Sequence, residues 1–268
     1  MSTAFAPESQ EAVITWNPTL AQVYESKMAD FARYSEIAFD RQLPDFRALL
    51  DWSVTEVEEF WRSIQTYFDV LGEGFETAEV LEDSVMPFAS WFPGAKLNFA
   101  ENVLRHALNP LTADETAIYQ VEEDGSHSVL TWAQLESQVA ALSATFRELG
   151  VERGDRIAAV LPNVPEAVIG LLAAASIGAV WTINSPDLSA EASIRRVKQL
   201  EPKVLVASDG YIFGGKAIDR RAHTSEVEAG LPSITATVLV RILDTQREPG
   251  TMAVKEVERL AFDRCVEK

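Results

Sequence analysis

The stretch "SDGYIFGGKAID", Ser208 to Asp219, gathers two glycines and a lysine in the pattern of a phosphate binder. Gly210, four further residues, Gly215 and Lys216 satisfy the spacing of a P-loop, in which backbone N–H groups and a lysine cradle phosphates. A true P-loop follows its lysine with a serine or threonine that binds magnesium; here Ala217 stands in that place. Nucleotide hydrolysis at this loop is therefore not expected. A metal-free chemistry survives, in which the N–H groups of Gly214 and Gly215 and the Lys216 ammonium hold a phosphate. The same residues also read as a surface turn with a solvated lysine.

A second loop, "NSPDLSAE", runs from Asn184 to Glu191. Ser189 is placed to cap the following helix, with Glu191 favourable in its first turn. Asp187 has the chemistry to bind a ribose hydroxyl, although an aspartate beside Pro186 is also an ordinary turn former. His106, His127 and His223 are scattered without ligand spacing, so no metal site is expected. No Gly-x-Ser-x-Gly elbow or Cys–His pairing points to a nucleophile, and no catalytic residue is assigned.

Both loops follow short apolar runs. From Thr116 onward, "TAIYQV" pairs with "HSVL" through the turn at Asp124-Gly125, and Thr131 with Gln134 caps the helix "TWAQLESQVAALSATFRELG", stopped by Gly150. Strands "RIAAVL", "AVWTI", "KVLVA" and "TATVLVRI" then alternate with helices "PEAVIGLLAAASIG", "SAEASIRRVKQL" and one near "TSEVEAGL". That alternation predicts an α/β fold, a parallel sheet flanked by helices. Ligands in such sheets sit at the carboxyl ends of strands, which singles out the loops after Ile183 and Ala207.

The first ninety residues read as a helical extension. Ser53 with Glu56 suggests a capping box, and Val57, Phe60, Trp61, Ile64 and Phe68 suggest one packing stripe. The acidic stretch from Leu71 to Met86 reads as a surface connector. Next comes "WFPGAKLNFAENVL": Pro93-Gly94 fits the centre of a tight turn, and Asn98 with Glu101 forms a capping box ahead of a helix. Trp91 and Phe92 are expected to be buried. The division is thus 1–90, helical, and 91–268, α/β.

Net charge is −18 over 268 residues. That field repels nucleic acid and obliges any phosphate ligand to rely on local donors. Cys265 is the only cysteine, which excludes an internal disulfide and suits a reducing compartment such as the cytoplasm. "MSTAFAPESQEAVITW" lacks the pattern of a secretory signal. The longest apolar run, Ala167 to Trp181, falls short of a bilayer span, so no membrane partner is expected.

Together, "WFPGAKLNFAENVL", the segment from "TWAQLES" to "IGAVW", "SPD" and "EPKVLVASDGYIFGGKAIDR" resemble the acetyl-CoA and acetoacetyl-CoA synthetases, adenylate-forming acid–CoA ligases. The Ser-Pro-Asp and Asp-Gly-Tyr … Gly-Lys runs narrow the likeness to the acetoacetyl-CoA branch, and it extends from about Trp16 to Val240. The resemblance implies small-molecule substrates: acetoacetate, ATP with magnesium, and CoA. It implies that Phe213, Gly214, Gly215 and Lys216 lie at the CoA 3′-phosphate, and that Ser185, Pro186 and Asp187 lie near its adenine. The acetyl-CoA relatives carry arginines where Phe213 and Lys216 stand, so one positive charge is missing and another lacks arginine's fork. The family's loop for the ATP phosphates is absent from this sequence and is expected beyond residue 268. The resemblance therefore implies the N-terminal portion of a ligase, inactive alone and holding no cofactor tightly. A CoA- or nucleotide-binding module and a non-catalytic interaction subunit are the alternatives.

Overall fold

The computed structural model describes residues 15–243 and 258–266. The start of the N-terminal stretch read for a signal therefore lies outside the described residues, as does part of the tail. The chain divides into two compact units, Met1–Lys96 and Leu97–Lys268.

The first unit contains α1 (Leu20–Tyr24), α2 (Lys27–Phe39), α3 (Phe46–Thr55), α4 (Val57–Tyr67), β1 (Leu81–Asp83) and β2 (Ser90–Trp91). Side chains of Thr19, Ser26 and Asp45 accept from backbone N–H groups at the starts of α1, α2 and α3. Phe31, Leu43, Leu49 and Trp52 form a small core, joined by Phe60 and Ile64 of the expected stripe. The stripe is only partly buried, because Trp61 and Phe68 remain exposed.

Three expectations fail in this unit. Ser53 is no cap: it lies inside α3, where its hydroxyl donates to the Leu50 carbonyl, and Glu56 opens α4 without a side-chain cap. Helix α3 already has its cap in Asp45, so the chain passes Ser53 as a helix and breaks only at Glu56. Leu71 to Met86 is more than a connector. Phe75 and Val80 are buried, β1 pairs with β2, and the Arg62 guanidinium donates to the carbonyls of Phe75 and Ala78 at 2.6 and 2.5 Å. Trp91 is 44% exposed, its ring set edge-on to Trp61 at 5.6 Å, while Phe92 is half-buried against Phe75. Trp91 ends β2 and Phe92 follows it in the left-handed region at φ +45°, so the two side chains leave the backbone in different directions. The Pro93-Gly94 turn forms as expected: Ala95 N–H donates to the Phe92 carbonyl at 2.9 Å, with Gly94 at φ +85°.

The second unit begins with α5 (Phe99–Leu104), β3 (Thr116–Val121), β4 (His127–Thr131) and α6 (Trp132–Glu148). There follow β5 (Arg156–Val160), α7 (Pro165–Ser176), β6 (Val180–Asn184), α8 (Ala190–Val197) and β7 (Val204–Ser208). The remainder is β8 (Gly210–Phe213), β9 (Lys216–Asp219), α9 (Arg221–Gly230), β10 (Ala236–Val240), β11 (Glu258–Ala261) and α10 (Phe262–Val266). Strands β11, β10, β7, β5 and β6 lie in that order in one parallel sheet.

Alternation along the strands sends side chains to two cores. Ile157, Ala159, Val204 and Val206 meet Leu142, Phe146, Ile169 and Leu172 of α6 and α7 on one face. Ala158, Val160, Leu205 and Ala207 meet Val197, Val227 and Leu231 on the other. Thr131 and Gln134 form the complete reciprocal cap expected of α6. Asn98 supplies its half of the expected box by accepting from Glu101 N–H at 3.2 Å; its amide nitrogen reaches the carbonyls of Ala175 and Ser176 at the end of α7. Strand β11 and α10 had no counterpart in the sequence reading, yet Phe262 and Cys265 are buried beside α6.

Candidate functional site

The Gly-rich stretch is a hairpin. Leaving β7 at the carboxyl edge of the sheet, the chain runs out along β8 and returns along β9, pairing Gly210 with Asp219 and Phe213 with Lys216. Gly214 and Gly215 make the two-residue tip, at φ +57° and +70°. Positive φ at both central positions is the demand of a type I′ turn, and glycine meets it without strain. The P-loop spacing is thereby explained differently: Gly210 sits at the base, not in a loop. A Cβ there would fall 2.3 Å from the Ile218 carbonyl oxygen, so this glycine serves strand approach.

At the base, the Asp209 carboxylate accepts from the N–H groups of Ile242 and Leu243, at 2.8 and 3.1 Å to one oxygen. The tip projects into solvent. Phe213 is 70% exposed and Lys216 is exposed as well. The N–H groups of Gly214 and Gly215 both point outward to one carboxylate: Glu123, in the β3–β4 turn, accepts from them at 3.1 and 2.9 Å. Two adjacent N–H groups held this way constitute an anion-binding concavity. Glu123 carried no signal in the sequence, because the contact joins residues 91 positions apart through two separate turns.

The second loop follows β6. Pro186 is buried while Ser185 and Asp187 are exposed, and Ser189 caps α8 by accepting from Ala192 N–H at 3.2 Å. A hydrogen bond from Ser185, aided by the charge of Arg220, holds the Asp187 carboxyl below the usual carboxylate range. Arg220, at the end of the hairpin, donates to the Leu188 carbonyl and so ties the two loops together. Beside it, His223 is buried, with both ring nitrogens lacking a hydrogen-bond partner among the described residues. Burial, then the Arg220 charge, pushes its pKa down, leaving the imidazole neutral. Arg220 and His223 are the residues that motif reading missed. Their signal was slight: an arginine directly after "GGKAID", and a histidine read only for metal spacing.

Near the carboxyl end of β5, Glu166 lies in the first turn of α7, and burial pushes its carboxyl up. It shares a small cavity with Gln138, Phe262 and the Arg241–Asp263 ion pair. Among the described residues, no cluster of three potential metal ligands occurs, and no helix is long and apolar enough to cross a membrane.

Comparison with known proteins adds a family. The pattern described as "AMP-binding enzyme" matches residues 106–265, and that described as "Acetyl-coenzyme A synthetase N-terminus" matches residues 46–103. An acetoacetyl-coenzyme A synthetase of Rhizobium meliloti is 36% identical over 221 residues, covering 82% of this chain and 33% of that protein. A malonamoyl-CoA synthetase of Penicillium aethiopicum is 32% identical over 225 residues, covering 82% and 31%. The solved acetoacetyl-CoA synthetase from Streptomyces lividans superimposes with a TM-score of 0.86 at 37% identity, over 94% of this chain and 38% of that one. The chain thus spans about a third of the length of the curated relatives it matches.

Proposed function

The chain belongs to the AMP-binding enzyme family, and from that premise we infer that it is the CoA-gripping portion of an acetoacetate–CoA ligase. In such a ligase the acid's carboxylate attacks the α-phosphorus of ATP, giving acyl-adenylate and pyrophosphate. The CoA thiolate then attacks the acyl carbon and AMP departs. Adenylation requires preorganised donors and magnesium around the transferring group, and in this reading that machinery belongs to the portion of the relatives that this chain does not span. The β8–β9 tip has a different task. It holds the 3′-phosphate of CoA, far from the thiol, while Ser185, Pro186 and Asp187 border the adenine. Binding energy gathered at such a remote handle positions the thiol without touching it.

A single observation carries this reading: two adjacent outward N–H groups stand beside Lys216 at the tip of a hairpin in a member of this family. The charge of Lys216 faces solvent, so screening limits its worth to about 1 kcal/mol. The test compares CoA with 3′-dephospho-CoA by calorimetry on this chain and its Lys216→Ala variant. The variant should bind CoA about fivefold more weakly while its affinity for 3′-dephospho-CoA stays unchanged. Equal losses for both ligands, or no loss for either, would remove Lys216 from the phosphate contact.

A further inference from the structure

The tip is not vacant of charge. Its two N–H donors are both engaged by the two oxygens of the Glu123 carboxylate, at 3.1 and 2.9 Å, the paired geometry that two oxygens of a phosphate would also present. In a two-residue type I′ turn the flanking residues carry the ladder, here Phe213 opposite Lys216, so the tip N–H groups have no partner within the hairpin. Glu123 comes from the separate β3–β4 turn, which closes on Gly125 at φ +83°, while Glu122 and Asp124 bond within their own hairpin, to Gln120 and to Ser126 N–H.

We propose that Glu123 is an internal competitor for this anion seat, so that a ligand enters only by displacing its carboxylate. The inference rests on reading the tip as the phosphate contact, and it deepens that reading by naming what sets the selectivity. A ligand carboxylate offers the donors nothing that Glu123 does not already offer, so it gains nothing to set against the cost of displacing that side chain. A phosphate monoester carries close to two charges and a third oxygen, which can meet the Lys216 ammonium while the other two meet the N–H groups. The seat therefore rejects monoanions and accepts phosphate dianions. Such a filter matters for a protein whose acid substrate is itself a carboxylate and whose net charge is −18.

The test follows the Gly214 and Gly215 amide resonances of this chain by NMR during titration with adenosine 3′,5′-bisphosphate, the nucleotide end of CoA. Removing the competitor by Glu123→Ala should lower the half-saturating concentration about threefold to tenfold, since apparent affinity is reduced by the fraction of seats already occupied. Glu122→Ala deletes an equal charge without touching the two bonds and should change it less than twofold. Acetate should perturb these amides in Glu123→Ala but not in the unaltered chain. Equal effects of the two substitutions would overturn the competitor and leave the phosphate contact standing. Amides that ignore the bisphosphate even in Glu123→Ala would overturn the phosphate contact itself, and the competitor with it.

Discussion

The cores of the two units differ in how much of an apolar pattern they take in. In the α/β unit, Leu142, Phe146, Ile157 and Leu205 are wholly buried, and every residue of β7 is inside. In the helical unit, Leu20, Ile37, Phe46 and Phe88 are all more than 60% exposed, although their sequence spacing looks no less amphipathic. A parallel sheet covered on both faces buries the apolar pattern of its inner strands, which meet helices above and below, while the edge strand β6 leaves Val180 and Ile183 exposed. Short helices around four core side chains cannot do so. An apolar stripe is therefore a promise of burial that only the surrounding architecture keeps.

The largest expected effect tests that contrast directly. Ile157→Ala, on the inner strand β5 and wholly buried, should cost about 2–5 kcal/mol in chemical denaturation, through lost transfer energy and the cavity left behind. Ile37→Ala, at a residue 87% exposed, should stay within about 0.5 kcal/mol. Comparable losses at the two positions would mean that Ile37 is covered in solution, and the contrast would collapse.

A smaller effect concerns caps. Thr131→Ala removes one half of a formed reciprocal cap and should cost about 1 kcal/mol. Ser53→Ala deletes a hydroxyl that only back-bonds within α3, so its cost should stay below about 0.5 kcal/mol in the same measurement. A larger loss at Ser53 than at Thr131 would restore the discarded cap.

The smallest effect separates the units by pH. His223 in the α/β unit has a depressed pKa, so the unfolded state binds its proton first. Its stabilising contribution is present above the ordinary imidazole value of 6.5 and is lost as pH falls from there toward the lowered value. In the helical unit, the bond from Arg41 depresses Glu59, and the bond from Tyr67 depresses Asp30. Their contributions persist until pH falls below the ordinary carboxylate values of 4.5 and 3.8. NMR during acidification should show the α/β unit weakening first, and His223→Gln should flatten that early decline. A helical unit that weakens first would reverse the assignment.

How much of this was legible depended on the range of the interactions. The sheet and its helices were readable because period and burial agree at every turn, and the type II turn at Pro93-Gly94 because two residues suffice to specify it. Ser53 misled because the same Ser-x-x-Glu pattern fits a helix interior equally well. Strand β11 and α10 were missed because they gain meaning only against β10 and α6. At the candidate site, Gly214, Gly215 and Lys216 announced themselves as a cluster. Glu123, Arg220 and His223 did not, since their roles arise from loops that meet only after the sheet has formed.

The strand order has a consequence in time. Strand β5 lies between β6 and β7, and both partners follow it along the chain. A ribosome adding about 5–20 residues per second releases Val160 several seconds before Ser208, where β7 ends. Until Asn184 completes β6, the nascent β5 offers two bare edges and an apolar run with no partner strand to receive it, and the edge that β7 takes stays bare until Ser208. Helix α6, made earlier, is available to shelter one face through Leu142 and Phe146. One edge stays open to the end. This is the moment at which the newborn chain is most exposed to wrong pairing and has most need of a chaperone.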